Sequence, residues 1–170
     1  MLPAVAINVS NGLEIIGGKY AAIQTSRTKP PANLVVKTSQ TNETDLTVYR
    51  VPVTNYKVHM AFCFKIKDKY YYPVVEQNSD TKTFHIKVEG PIEKSFDNFP
   101  DRFLFQWNGS REYGSLGSVL ADKHYLCVSD KMVILTSKQE FIFKRNAEIH
   151  AHGMASRRLC SINSLVYGIR

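Results

Sequence analysis

Turn chemistry interrupts this chain so often that no apolar run between turns can bury much by itself. The stretch Asp101–Ser129, DRFLFQWNGSREYGSLGSVLADKHYLCVS, shows the pattern at its densest. Phe103, Phe105 and Trp107 alternate with Leu104 and Gln106, the period of a strand with one face in a core. Asn108-Gly109-Ser110 then breaks the run, because Gly takes positive φ freely and Asn nearly so. Tyr113–Val119 resumes it, Ala121-Asp122-Lys123 turns again, and Tyr125–Val128 reads as a further strand. Strands this short bury enough surface only when they are repeated around a closed core.

The rest of the chain to residue 145 repeats this design. Val5–Val9, Leu13–Ile16, Tyr20–Thr25, Leu34–Lys37 and Leu46–Thr54 are expected strands. Asn11-Gly12, Gly17-Gly18, Arg27–Pro31 and Thr38–Asp45 punctuate them. Val58–Ile66 alternates strictly, Lys67-Asp68-Lys69 is a hairpin-type turn, and Tyr70–Val75 and Phe84–Val88 follow. Gly90–Pro100 reads as a loop, and Met132–Thr136 and Phe141–Phe143 close the series. About a dozen short strands with regular turn signals predict an all-β sandwich or barrel. Phe62–Val75 and Phe103–Val119 share a strand-turn-strand spacing, with Ile15–Thr25 a similar distance upstream. A period of roughly 40–45 residues, met three times, predicts pseudo-threefold closure. Residues 146–170 differ in composition: a tail, a short helix over Asn146–His152, or an extra strand near Ser164–Ile169 all fit.

Composition bounds the functional classes. The chain has 170 residues and is 44% hydrophobic, enough for one domain with a real core. Its net charge of +7 permits attraction to acidic surfaces such as heparin-like glycans, though the basic residues are spread along the chain. Cys63, Cys127 and Cys160 form neither a disulfide framework nor a zinc pattern. Cys63 and Cys127 lie in apolar strands, as small buried thiols that suit folding in a reducing compartment. No apolar run is long enough for a membrane-spanning helix, and the first residues lack the basic region of a secretory signal. Asn8, Asn42 and Asn108 open glycosylation sequons that stay unmodified in a chain outside the secretory route.

No catalytic constellation, cofactor motif or metal set stands out. His59, His85 and His124 are scattered over strand and turn positions. His150-Ala151-His152 offers two ligands and no third. Ser118, Asp122 and His124 are close in sequence, but turn chemistry accounts for the Asp equally well. A binding surface would use exposed aromatics and Arg, and Trp107, Arg111, Glu112 and Tyr113 form the best such cluster. Trp107 equally continues the Phe103/Phe105 core face. Lys94, Phe96, Asp97 and Phe99 lie in the long loop, where the rings either plug a barrel end or meet a partner. Lys131 and Lys138 sit in late turns.

The segments Lys69–Val75, Thr83–Val88, Arg102–Phe105, Leu116–Ser118, Tyr125–Ser129, Met132–Leu135 and Phe141–Phe143 together resemble the second half of an interleukin-1 family cytokine. Val5–Lys37, with its Gly17-Gly18-Lys19-Tyr20 turn, can be laid on the first third. The resemblance implies a β-trefoil over 1–145 with twelve strands, followed by a C-terminal tail over 146–170. It implies a monomeric, non-enzymatic, cofactor-free signalling ligand of inflammatory or immune type. That ligand would bridge two immunoglobulin-domain receptor chains, a primary and an accessory one. It also implies leaderless export from a cytoplasmic pool. On this reading Trp107, Arg111, Glu112, Tyr113, Lys94, Phe96, Lys131 and Lys138 are the receptor-facing candidates. No long acidic segment precedes the expected trefoil, and the tail has no counterpart in the family. A glycan-binding trefoil of growth-factor or lectin type is the alternative that the positive charge suggests.

Overall fold

A computed structural model describes residues 4–28, 32–53, 57–96, 98–109 and 111–149. Among them the chain is nearly all β. In order, the strands are β1 (Val5–Val9), β2 (Glu14–Ile15), β3 (Lys19–Thr25), β4 (Ala32–Lys37), β5 (Leu46–Pro52), β6 (Val58–Ile66) and β7 (Lys69–Gln77). They continue with β8 (Phe84–Ile92), β9 (Phe105–Gly109), β10 (Tyr113–Ser118), β11 (Tyr125–Ser129), β12 (Met132–Thr136) and β13 (Phe143–Lys144). All pairings are antiparallel. Seven strands close a ring, β10–β11–β12–β4–β3–β2–β13 and back to β10, and the other strands extend it. Closure removes sheet edges that would otherwise stay unpaired.

One ladder recurs three times. β2 pairs β3 and β3 pairs β4; β6 pairs β7 and β7 pairs β8; β10 pairs β11 and β11 pairs β12. A further strand flanks each ladder on its first member: β13 on β2, β5 on β6, β9 on β10. The last strands, β4, β8 and β12, touch one another. Phe103–Val119 therefore spans the flanking strand and first ladder member of its unit, whereas Phe62–Val75 spans the first two ladder members. The expected spacing equated two different parts of the repeat. The second ladder members begin at Lys19, Lys69 and Tyr125, further apart than the expected period.

Strict alternation explains why β6 is buried on both sides. Met60, Phe62 and Phe64 enter the main core, where Ile15, Ile23, Phe105, Leu116, Leu126, Val133 and Phe143 meet them. Ala61 and Cys63 face the other way, into a second cluster with Tyr72, Val74, Phe99, Phe103 and Leu104. That cluster is covered by the connection between β8 and β9. Its rings pack in tilted and edge-on pairs: Tyr72–Phe103 at 5.6 Å, Phe96–Phe103 at 5.4 Å, Tyr49–Phe99 at 5.1 Å. The β6–β7 link is a two-residue hairpin with both Lys67 and Asp68 at positive φ, the twist that matches the flanking strands.

Local departures have physical causes. Asp101–Phe103 is a 3-10 turn, so Phe103 drops into the second cluster and only Phe105 and Trp107 face the main core. β8 runs on to Ile92 because Gly90, at φ 143°, fits beside the irregular pairing at Tyr70 and Tyr72. A Cβ at Gly90 would lie 2.6 Å from the Tyr70 carbonyl oxygen. The last strand is Phe143–Lys144, with Phe141 before it and exposed.

After Arg145 the chain enters a helical turn at Ala147. Asn146 Oδ1 caps it, accepting the N–H groups of Glu148 (2.8 Å) and Ile149 (3.3 Å). Glu148 accepts hydrogen bonds from the Ser10 N–H and hydroxyl, and Ile149 is buried in the main core. The expected Ser164–Ile169 strand, His150, His152 and Cys160 lie outside the described residues.

Candidate functional site

An open groove lies beside the β9–β10 turn, lined by Asn108, Gly109, Arg111, Glu112, Tyr113 and Phe141. Two glycines make it. Gly109 pairs with Gly114, and a Cβ at Gly109 would lie 2.4 Å from the Gly114 Cα. The two backbones thus cross closer than any side chain permits. Gly114 in turn supports the Trp107 indole, whose ring carbons would stand 2.4–2.8 Å from a Cβ placed there. Trp107 packs against the main core, opposite Leu116. The expected cluster therefore divides: Arg111, Glu112 and Tyr113 line the groove, and Trp107 braces its base.

The groove wall is held by polar contacts beneath it. Fully buried Ser115 donates its hydroxyl to the Asn108 carbonyl at 3.3 Å and accepts the Gln139 side-chain N–H at 2.8 Å. The Glu112 carbonyl accepts the Arg145 N–H at 2.6 Å. Arg111 and Glu112 stay exposed, Tyr113 is half-buried, and Phe141 is 49% exposed. Ile16, also 49% exposed, is close by, since its N–H bonds the carbonyl of Ile142. Of these, Tyr113 and Arg111 are residue types enriched where proteins bind one another. Phe141 was not legible as part of this site, because in sequence it continues the apolar run to Phe143.

The other candidates lie apart from the groove. Phe96 stacks on Tyr72 at 5.1 Å and helps cover the second cluster. Phe99 is buried in that cluster, so both rings sit on the outer face of the sheet and not in a barrel end. Asp97 lies outside the described residues. Lys94 is exposed in the same connection. Lys131 is exposed at the β11–β12 turn, where its carbonyl accepts the Val36 N–H. Lys138 pairs with Glu140 at 3.4 Å.

Ser118, His124, His85, Cys63 and Cys127 hold structural positions. Ser118 Oγ accepts the Ala121 N–H at 2.9 Å, and His124 Nδ1 faces the Asp122 carbonyl oxygen at 2.9 Å. These three residues build a turn, with His124 packed edge-on against Phe84. His85 Nε2 lies 3.3 Å from Glu76. Cys63 and Cys127 are both free and buried. Burial pushes the Cys63 thiol up to about 11, against smaller opposing effects of the Tyr72 hydrogen bond and the Lys65 charge. Burial, then the hydrogen bond to Glu140, raises the Cys127 thiol as well. Thiols held protonated in this way are poor nucleophiles. Among the described residues, no three His, Cys, Asp or Glu gather to hold a metal ion. None of their helices is long and apolar enough to cross a membrane. No family model matches the chain, and no curated protein matches it.

Proposed function

We propose that this chain is a β-trefoil receptor ligand of the interleukin-1 type, acting by binding and without catalysis. The observation that carries the reading is the ladder that recurs three times around the closed barrel. Its units hold four of the seven resembling segments whole and in order: Lys69–Val75 in β7, Leu116–Ser118 in β10, Tyr125–Ser129 in β11 and Met132–Leu135 in β12. Taken with β1 and β2 as one interrupted strand, the thirteen strands reduce to the twelve of a trefoil. Two buried free thiols suit a protein that folds in a reducing cytoplasm before leaderless release.

The groove at Arg111, Glu112, Tyr113 and Phe141 is the receptor-facing surface in this reading. An interface of standard size, about 1,600 Å² in total, would extend well beyond it. Binding to a panel of immunoglobulin-domain receptor ectodomains tests the proposal, with signalling in responsive cells as the second readout. Tyr113→Ala and Phe141→Ala should each weaken capture by at least tenfold, the loss of a hot-spot side chain, while leaving the fold intact. No binding and no signal from the intact chain would end the reading.

A further inference from the structure

The β6–β7 hairpin gathers positive charge that the groove does not use. Lys65, Lys67 and Lys69 surround its turn. Tyr70 pairs with Ile92, which brings the next residues, Glu93 and Lys94, to the same end of the sheet. A contact between Lys69 and Glu93 fixes that juxtaposition. Two carboxylates lie among the four lysines: Asp68, 3.8 Å from Lys65, and Glu93. The local balance is therefore positive. Lys65, Lys67 and Lys94 are exposed, and Asp68 is the most exposed partner, at 95%. The Lys65 ammonium stands 5.9 Å from the Tyr70 ring centroid, so an apolar surface underlies the charge.

We propose that this hairpin end is a contact site for a sulfated polysaccharide. Three lysines flanking one two-residue turn, with Lys94 at the same end of the sheet, match a ligand with closely repeated anions. Lys67 and Lys94 have no ion pair among the described residues, and Lys65 is held only by an exposed carboxylate that a sulfate can displace. The remaining exposed lysines with no ion pair among the described residues are dispersed. Lys82 and Lys131 stand at the tips of two different hairpins, Lys123 lies in the β10–β11 turn, Lys19 opens β3 and Lys57 precedes β6. The site is separate from the proposed receptor groove and does not depend on it.

The test is heparin affinity of the whole chain, compared with a sulfopropyl exchanger that reads plain charge. Wild type should elute from heparin at higher salt than from the exchanger, and above physiological ionic strength. The triple variant Lys65→Gln, Lys67→Asn, Lys94→Gln should bind heparin about tenfold more weakly, since each exposed pair contributes modestly. The control Lys82→Asn, Lys123→Asn, Lys131→Gln removes the same charge elsewhere and should shift much less. Asn is used at positions 67, 82 and 123 because it tolerates their positive φ. Equal shifts in the two triple variants would overturn the site, as would equal retention of wild type on both resins. Tyr113→Ala, which disables the groove, should leave heparin elution unchanged, so the two proposals fail separately.

Discussion

The phenolic oxygen of Tyr72 accepts a hydrogen bond from the backbone N–H of Phe96 at 3.0 Å. This bond helps tie the connection between β8 and β9 to the outer face of the sheet, and the stacked rings of the same two residues close over it. Tyr72→Phe keeps the rings and deletes the acceptor. It also removes the hydroxyl's hydrogen bond to Cys63, so it should cost about 1–3 kcal/mol, the net value of two part-buried hydrogen bonds. Phe99→Ala should cost about 3 kcal/mol, because it also leaves a cavity. Denaturant midpoints check both. In each variant Cys63, beneath the cover, should also react faster with a small alkylating agent under native conditions.

Cys63 makes stability depend on pH in one direction. Its thiol is pushed up to about 11 in the folded chain, above an ordinary value of 9.0. The folded state thus holds the proton longer than the unfolded state does. The stabilisation is fully present below about pH 9 and is lost as pH rises through about 11. Burial raises the Tyr72 hydroxyl too, which extends the same trend upward. Unfolding midpoints measured from pH 8 to 11 should fall more steeply for wild type than for Cys63→Ala. Parallel curves would show that the thiol ionises as easily folded as unfolded.

The strands were legible because alternation is a local signal. Val58–Ile66 and Met132–Thr136 match the observed elements in both bounds. The second aromatic cluster was not legible. Nothing in Phe96, Phe99 or Phe103 says that they lie outside the barrel, since that depends on β6 and β7 being apolar on both faces. Phe103 alternates with Phe105 as a strand residue would, yet the 3-10 turn that Asp101 begins rotates it out of register. Arg111, Glu112 and Tyr113 are legible by residue type, and the core side of Trp107 by its alternation with Phe105, but the bare Gly114 against its indole is not. That relation joins positions seven residues apart across a hairpin, and alternation does not encode it.

Gly114 is a stringent test of the groove's base. A methyl there would overlap the indole at 2.4 Å. Its φ is not in the left-handed region, so the expected cost is steric alone, about 1–3 kcal/mol for overpacking. Gly114→Ala should lower the unfolding midpoint and shift the emission of Trp107, the only tryptophan in the chain. Gly117→Ala is the comparison. A Cβ there would stand 3.3 Å from the Tyr125 ring, which can yield, so the loss should be smaller. Equal effects at the two positions would mean that the indole is free to move.

Ile149, beyond the last strand, belongs to the main core. Its side chain meets Leu13, Met60, Phe62, Trp107 and Leu116 around a void of only about 10 Å³, so the barrel end is filled by a residue beyond the last strand. Two anchors hold it there: the Asn146 cap and the Ser10–Glu148 contact. Ile149→Ala should cost about 2–4 kcal/mol, as for other large-to-small changes in a packed core. Asn146→Ala should cost about 1 kcal/mol through the lost cap. A chain ended after Arg145 should lose at least as much as Ile149→Ala, because the barrel end then opens to water. Thermal melts of the three variants rank these effects. An unchanged melting temperature for the shortened chain would show that the strands alone close the barrel and that the helical turn merely rests on it.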